Sequence, residues 1–489
     1  MASKYNRLAA DGARLYRKGM PLTRIHASLL NRRYRIAFGL SLLFASALAG
    51  QQSQFQGSVP TGTASSTPLA LTLHDAIDRG LKANLGLLVS ASASETARGQ
   101  RLRALSTLMP QVGGQVSETV EQLNLKTIGF TFSIPGVALP TIVGPFQYTD
   151  LRASASLTVF DYNKWKNYRS SQEGQRAAQL SYQDARDLVV QAVANAYLQV
   201  TADASRAESI RAQVATDQAL YDRTADQKKA GTSPGIDVLR SQVELKTQQQ
   251  RLLAQENQLA KDKLSLGRVI GLAIGQDFNI AETAPYSPLA SITQEQALRT
   301  AQEQRPDYQS AKAQVRAAEE TVRATRAERY PTVGVTGDYG DVGPTIGESH
   351  GTFTFMASLK FNIFDGGRIG SDEIQAKAAL KQRQDELADL GGQIDYQVRA
   401  AFLDIQSAAD QVAVAKSNLE LANETLEQAR DRFTAGVTDN IEVVQAQQSV
   451  ASANDNLIFA LYSHNLAKVA LARALGAAEQ GIQKFMEVK

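Results

Sequence analysis

The hydrophobic and polar positions of this chain follow two different periods, which alternate along its length. In residues 352–364 and 151–159 apolar side chains occupy every second position, which predicts strands with one apolar and one polar face. Partner strands are predicted after Pro110 and Pro331, so that the chain supplies two hairpins and four strands. The apolar positions are Leu151, Ala153, Ala155, Leu157, Val159, Phe353, Phe355, Ala357, Leu359, Phe361 and Ile363.

Long segments without proline flank the strands, at 162–230 and 369–433. A helix of about 68 residues would be about 100 Å long, which is unusual outside coiled coils. In residues 398–433 large apolar residues alternate with alanine at steps of three and four, the pattern of a heptad seam. Residues 443–474 repeat that pattern, so the two segments are predicted to pack closely as an antiparallel helix pair.

The equivalent helices earlier in the chain keep only half of this pattern. Their returning helix has an apolar residue every seven positions, at Val238, Leu245, Leu252, Leu259 and Leu266. The preceding helix carries Asp203 and Asp217 at positions of the seam. A second, more polar packing face is one explanation of these two acids.

The chain makes the same turn twice. The segments AGTSPGIDVLRSQ (230–242) and AGVTDNIEVVQAQ (435–447) match with an offset of 205 positions. Gly231 and Gly436 stand where a long helix must stop, and glycine tolerates the left-handed conformation of a C-cap. Asp237 and Glu442 fall in the first turn of the next helix, where the helix dipole favours a carboxylate.

Further matches at similar spacing predict two repeats, at 71–275 and 291–476. The remaining segments are predicted to be a flexible leader at 50–70, a proline-containing linker at 276–290 and a C-terminal tail at 477–489.

Residues 1–49 change the meaning of the net charge of +3. They hold nine Lys and Arg residues against one acid, and an apolar run that ends in a small-x-small site. This is typical of a cleaved secretory signal, with Met1 or Met20 as the start. The remainder has 43 basic and 48 acidic residues, which argues against nucleic-acid binding. The chain has no cysteine, and none of its four histidines has a partner at metal-ligand spacing, so an enzyme is not predicted.

Four amphipathic strands leave two edges whose backbone groups have no partner, and lipid does not tolerate such edges. Three chains would supply twelve strands, which lies within the range of membrane barrels. The number of chains is not fixed by the pattern alone.

Two stretches of the second repeat, RPDYQSAKAQVRAAEETVRATRAERYPTVGVTGDYG (305–340) and LKFNIFDGGRIGSDEIQAKAAL (359–380), resemble the TolC-like outer-membrane efflux proteins of Gram-negative bacteria. The resemblance covers about residues 70–476 and is looser in the first repeat. It implies a mixed α and β membrane protein, a homotrimer with a twelve-stranded β-barrel in the outer membrane continued by a periplasmic α-helical barrel. It also implies the exit duct of a tripartite efflux pump or type I secretion system, with a periplasmic adaptor, an inner-membrane transporter and outer-membrane lipid as partners and no cofactor.

The resemblance also assigns roles to the turns and strands. It implies adaptor-docking tips at Gly231, Thr232, Ser233, Gly436, Val437 and Thr438. An entrance constriction is implied at Thr438, Glu442 and Gln445, where the family pattern has a basic residue and two aspartates, so that only Glu442 keeps an acid. The lipid-facing positions would be Leu151, Leu157, Val159, Phe353, Phe355, Leu359 and Phe361. A periplasmic coiled-coil spacer without transport activity is the alternative, and the transported substrate is not readable from the sequence.

Overall fold

The computed structural model describes residues 55–127, 129, 140–281, 286–287, 292–438, 440–479 and 481–482. The predicted signal segment 1–49 lies outside these residues, as do parts of the leader, the linker, the tail and the first hairpin loop. The described residues from Ser58 onwards form one compact unit.

Within the described residues, the two halves of the chain contain the same α-helices and β-strands in the same order. Corresponding helices have almost equal lengths: 11 and 11, 22 and 22, 68 and 67, and 35 and 35 residues. The first half contains β1 (Leu69–Leu71), α1 (Leu73–Ala83), α2 (Leu85–Ser106), β2 (Gln111–Asn124), β3 (Ile142–Phe160), α3 (Tyr162–Lys229) and α4 (Gly235–Val269). The second contains β4 (Phe278–Ile280), α5 (Gln294–Gln304), α6 (Pro306–Ala327), β5 (Thr332–Gly343), β6 (His350–Lys360), α7 (Arg368–Thr434) and α8 (Asn440–Ala474).

The long helices match the proline-free segments to within one or two residues. In the second half, α7 packs along α8 through the predicted seam, where every alanine of the alternating pattern is buried. The large seam residues Leu419 and Phe433 are only half-buried. Among the described residues, no helix has both the length and the apolar character needed to cross a lipid bilayer.

The four long strands form one antiparallel sheet in the order β2-β3-β5-β6. The two hairpins predicted from the sequence are therefore β2–β3 and β5–β6, joined through β3 and β5. Strands β2 and β5 begin directly after Pro110 and Pro331, as predicted. The outer edges of β2 and β6 are not paired within this sheet.

Two of the predicted strand positions, Phe361 and Ile363, are wrong, because strand β6 ends at Lys360 and both residues lie beyond it. The reason is that Lys360 pairs with Thr332, the first residue of β5, and the preceding proline has no N–H to continue the ladder. Val159 lies at a β-bulge: Thr158 pairs with Gly334 and Phe160 with Val333, so Val159 has no partner in β5.

A small parallel sheet joins the segments predicted to be a flexible leader and a linker. Strand β1 pairs with β4, with Leu69 opposite Phe278 and Leu71 opposite Ile280. These segments therefore contribute regular structure where the composition predicts none, and they tie the start of the first repeat to its end.

Candidate functional site

Both long hairpins end in the same Schellman turn, as the two glycines predict. Gly231 has φ +75° and Gly436 has φ +72°, in the left-handed region that glycine adopts without strain. At the first tip the N–H of Gly231 donates to the carbonyl of Lys228, and the N–H of Thr232 to that of Gln227. At the second tip Gly436 donates to Phe433, and Val437 to Arg432. These bonds satisfy carbonyls that a helix end otherwise leaves without partners.

A hydroxyl group binds a carboxylate one helical turn later at each tip. The Ser233 hydroxyl donates to Asp237 at 3.1 Å, and the Thr438 hydroxyl donates to Glu442 at the equivalent place in the second repeat. Each carboxylate lies in the first turn of its helix, which is the position the helix dipole favours. The acids therefore have a local structural role as well as a charge.

The second tip contains an ion pair that sequence analysis missed. Nη1 of Arg432, in the last turn of α7, lies 2.9 Å from Oε1 of Glu442 in α8. The two residues are ten positions apart and meet only because the turn at Gly436 reverses the chain, so no helical spacing reveals the pair. This chain has threonine at position 438, where the family pattern has a basic residue, but the basic side chain of Arg432 reaches Glu442 from the opposite helix. Gln445 lies exposed one turn further along α8.

The predicted docking residues differ in exposure. Thr232 and Val437 are exposed at equivalent positions of the two turns, and the side chain of Val437 is 69% exposed. Ser233 and Thr438 are half-buried because their hydroxyls face the carboxylates of the following helices. Each tip therefore presents its glycine and the residue after it most openly to solvent.

At the other end of the molecule, the register of the sheet separates apolar and polar side chains onto two faces. Phe353 lies opposite Tyr339, Leu359 opposite Val333 and Leu151 opposite Val116. Large apolar residues of this face are exposed in all four strands: Val112, Val116, Val120, Leu151, Leu157, Tyr339, Phe353, Phe355 and Leu359. A soluble protein rarely exposes a continuous apolar surface of this kind.

The opposite face of the sheet holds a charged cluster centred on Arg152 of β3. Its Nε lies 3.2 Å from both carboxylate oxygens of Asp150, and Nη1 forms an ion pair with Asp338 of β5. Nη2 donates to the hydroxyl of Thr352 in β6 at 3.2 Å. Asp150 lies two positions away on the same strand, whereas Asp338 and Thr352 come close to Arg152 only through the pairing of β3 with β5 and of β5 with β6, which alternation within one strand does not reveal.

Comparison with known proteins matches this chain in two separate segments. A family model described as outer membrane efflux protein matches residues 76–272 and 297–477. The chain is 22% identical over 322 residues to TtgC of Pseudomonas putida, a probable efflux pump outer membrane protein. That alignment covers 64% of this chain and 63% of TtgC, so the chain matches somewhat less than two thirds of this relative's length.

Solved structures share the fold over a larger part of the chain. A membrane protein from Pseudomonas aeruginosa superposes with a TM-score of 0.72 at 18% identity, covering 86% of this chain and 95% of that one. VceC, an outer membrane protein of Vibrio cholerae, superposes with a TM-score of 0.70 at 17% identity, covering 83% and 96% of the two chains. At this identity the likeness establishes the arrangement of helices and strands.

Proposed function

Since this chain belongs to the outer membrane efflux protein family, we propose that it is the outer-membrane exit duct of a tripartite efflux pump or type I secretion system. It resides in the outer membrane and extends into the periplasm. It conducts substrates passively, after a periplasmic adaptor and an inner-membrane transporter have delivered them. We propose no catalytic activity, cofactor or nucleic-acid partner.

One observation carries this proposal: the sheet with its exposed apolar face continues into the helices α3 and α7, each about 100 Å long by helix rise. An apolar outer face suits contact with lipid, and the long hairpins suit a conduit that reaches across an aqueous compartment. A periplasmic coiled-coil spacer, the alternative, accounts for the hairpins but leaves the apolar face of the sheet without a role.

The proposed assembly is a homotrimer with a twelve-stranded β-barrel and an α-helical barrel. The unpaired edges of β2 and β6 support it, because each would pair with the neighbouring copy and leave no open edge in lipid. The helices support it too. Leu403, Val414 and Leu421 are exposed on a face of α7 away from the seam, and with Phe459 of α8 they line a groove of about 960 Å³. A helix of the next copy would cover this groove.

Within this assembly the tips have two proposed roles. Gly231, Thr232 and Ser233, together with Gly436, Val437 and Thr438, face the adaptor. Thr438, Glu442 and Gln445 form the entrance constriction, with Arg432 as the cation that balances Glu442. We also propose that the two repeats at 71–275 and 291–476, with the leader, linker and tail beside them, are the units of this domain organisation. Leu151, Leu157, Val159, Phe353, Phe355 and Leu359 face lipid.

Fractionation and channel recording test the function. We expect the protein to remain in the outer membrane after a high-salt wash, to migrate as a trimer before boiling, and to conduct ions in a planar bilayer. Deleting the gene should sensitise cells to a pumped compound, and a plasmid copy should restore resistance. A protein released by salt as a monomer that conducts no current would contradict the proposal and favour the spacer.

A further inference from the structure

The two long hairpins differ at the seam positions of their first helices. Four consecutive heptad positions of α7 carry alanine, whereas the equivalent positions of α3 carry two aspartates. The equivalent pairs, 205 positions apart, are Asp203 and Ala408, Ile210 and Ala415, Asp217 and Ala422, and Thr224 and Ala429. The first hairpin therefore places ionisable groups where the second has a dry and close contact.

Asp217 is the seam residue whose charge the protein does not balance. It is 1% exposed, and neither of its carboxylate oxygens has a hydrogen-bond partner in the described part of the chain. By contrast, Asp203 accepts hydrogen bonds from Gln199, Arg206 and Gln255. Burying an ionised carboxylate without a partner is costly, so this packing favours the protonated form of Asp217.

Three helices meet around Asp217. The register that joins Thr224 to Ser241 places Gln248 of α4 opposite it, and the carboxylate of Glu244, also in α4, faces it. Glu244 accepts hydrogen bonds from Gln248 at 2.9 Å and from Gln448 of α8 at 3.0 Å.

The same contact extends from α3 directly to α8. One turn from Asp217, the Gln213 amide donates to the backbone carbonyl of Gln447 in α8 at 3.5 Å. Asp217 thus sits where the first hairpin contacts the returning helix of the second, 14 residues from Gly231, or about 20 Å by helix rise.

We propose that Asp217 is a proton-controlled latch between the two hairpins. While it is protonated, α3, α4 and α8 stay packed above the tips. When it ionises, water must enter and the contact between the first hairpin and α8 loosens. The consequence for conduction, easier opening of the periplasmic entrance as the pH rises, rests on the function proposed above.

The charges around Asp217 fix the direction of the effect. Burial, and secondly the negative charge of Glu244, raise its pKa from 3.8 to about 7. At this contact α8 contributes the backbone carbonyl of Gln447 and the side-chain amide of Gln448, neither of which carries a charge. Between about pH 4 and pH 7, Asp217 is therefore protonated in the packed state and ionised in the loosened state. Over that range rising pH favours the loosened state, by up to tenfold per pH unit for each chain.

Hydrogen exchange of the purified full-length protein tests the latch without relying on conduction. The variant Asp217→Asn keeps the shape and cannot ionise, and Asp222→Asn removes an exposed carboxylate five residues away as the matched control. Each variant is compared with the wild type at the same pH, so that intrinsic exchange rates cancel. The peptides to follow cover 213–221, 241–249 and 443–449.

We expect peptides 241–249 and 443–449 of the wild type to lose protection relative to Asp217→Asn by roughly tenfold or more between pH 5.5 and pH 7.5. Asp222→Asn should follow the wild type. Should Asp217→Asn fail to assemble, Asp217→Ala, which introduces the residue found at Ala422, takes its place. Equal exchange in the wild type and the Asp217 variant at both pH values would overturn the latch, as would the same effect from Asp222→Asn.

Channel recording then tests the latch and the proposed exit-duct function independently of each other. If exchange depends on Asp217 but no variant conducts, the latch stands and the exit-duct function fails. If the wild type conducts and its open probability rises with pH only while Asp217 is present, both stand. A pH-dependent open probability that survives in Asp217→Asn would overturn the role of this residue in opening.

Discussion

Arg432 and Glu442 form an ion pair across the tip of the second hairpin, with Nη1 and Oε1 2.9 Å apart. The Arg432 side chain is 57% exposed and that of Glu442 36%, so solvent screens the pair and it adds less than about 1 kcal/mol to stability. Its consequence is electrostatic: the one acid kept at the proposed entrance carries its own counter-charge. Three copies of the pair would form a ring whose net charge is close to zero.

Substitution of either partner should therefore shift ion selectivity in opposite directions. Arg432→Gln leaves three unbalanced carboxylates at the entrance and should increase the preference for cations. Glu442→Gln leaves three arginines and should shift the preference towards anions. Reversal potentials in a planar bilayer at low salt, where screening is weakest, measure both effects. Arg430→Gln, an exposed neighbour on α7, is the control. Equal selectivity in all four proteins would place Glu442 away from the conduction path.

The conformation of Gly436 gives a second prediction. A Cβ at this glycine would meet no atom within 4 Å, so the cost of Gly436→Val lies in the left-handed backbone, about 1–2 kcal/mol. We expect a normal trimer whose second tip is distorted, with reduced export and weaker binding of the adaptor. Gly370→Val, in an ordinary helical position of α7 with open space, should behave as wild type. Loss of the trimer in Gly436→Val alone would contradict a location at the adaptor-facing tip.

Much of the fold follows from local signals. The proline-free segments and the two tip glycines predict the ends of α3 and α7 closely, because proline and glycine end a helix through their own backbone conformation. The bulge at Val159 and the end of β6 before Phe361 depend on which residues of β5 pair with them, so alternation within one strand could not reveal them. The β1–β4 pairing joins three-residue strands about 200 positions apart, and segments this short carry no period.

In the candidate site too, some features follow from local sequence signals and others depend on how distant residues pack. The Schellman turns were predictable because glycine at a helix end has a direct conformational reason. Arg432 was not, since its contact with Glu442 depends on the path of the chain around the turn. The sequence marked Asp217 as an interruption of the seam, but only the packing of α3, α4 and α8 reveals that its carboxyl group has no partner in the described residues.

The apolar face of the sheet gives a third prediction. Phe355 is 72% exposed on that face, whereas the adjacent Thr354 belongs to the polar face. Phe355→Lys should destabilise the assembled protein by about 2–4 kcal/mol if the position lies near the bilayer midplane, because lipid cannot solvate the ammonium group. Thr354→Lys should be tolerated, since its side chain would point into a polar lumen. The yield of heat-resistant trimer in outer-membrane fractions compares them, and equal yields would contradict the assignment of the two faces.

The last prediction concerns the close contact between α7 and α8. Ala429 is 1% exposed and packs with Leu426, Val443 and Ala446 in a buried cluster. Ala429→Leu forces a larger side chain between two helices that approach closely through alanine, and overpacking of this kind costs about 1–3 kcal/mol. The matched control is Ala413→Leu, the same substitution at an exposed position of the same helix, which should change stability by less than about 0.5 kcal/mol. Thermal unfolding of the detergent-solubilised protein distinguishes the two, because only the buried alanine is constrained by α8. If both variants unfold at the wild-type temperature, the helices do not pack through the alanine seam; if both are equally destabilised, the exposed face of α7 is itself covered in the assembly.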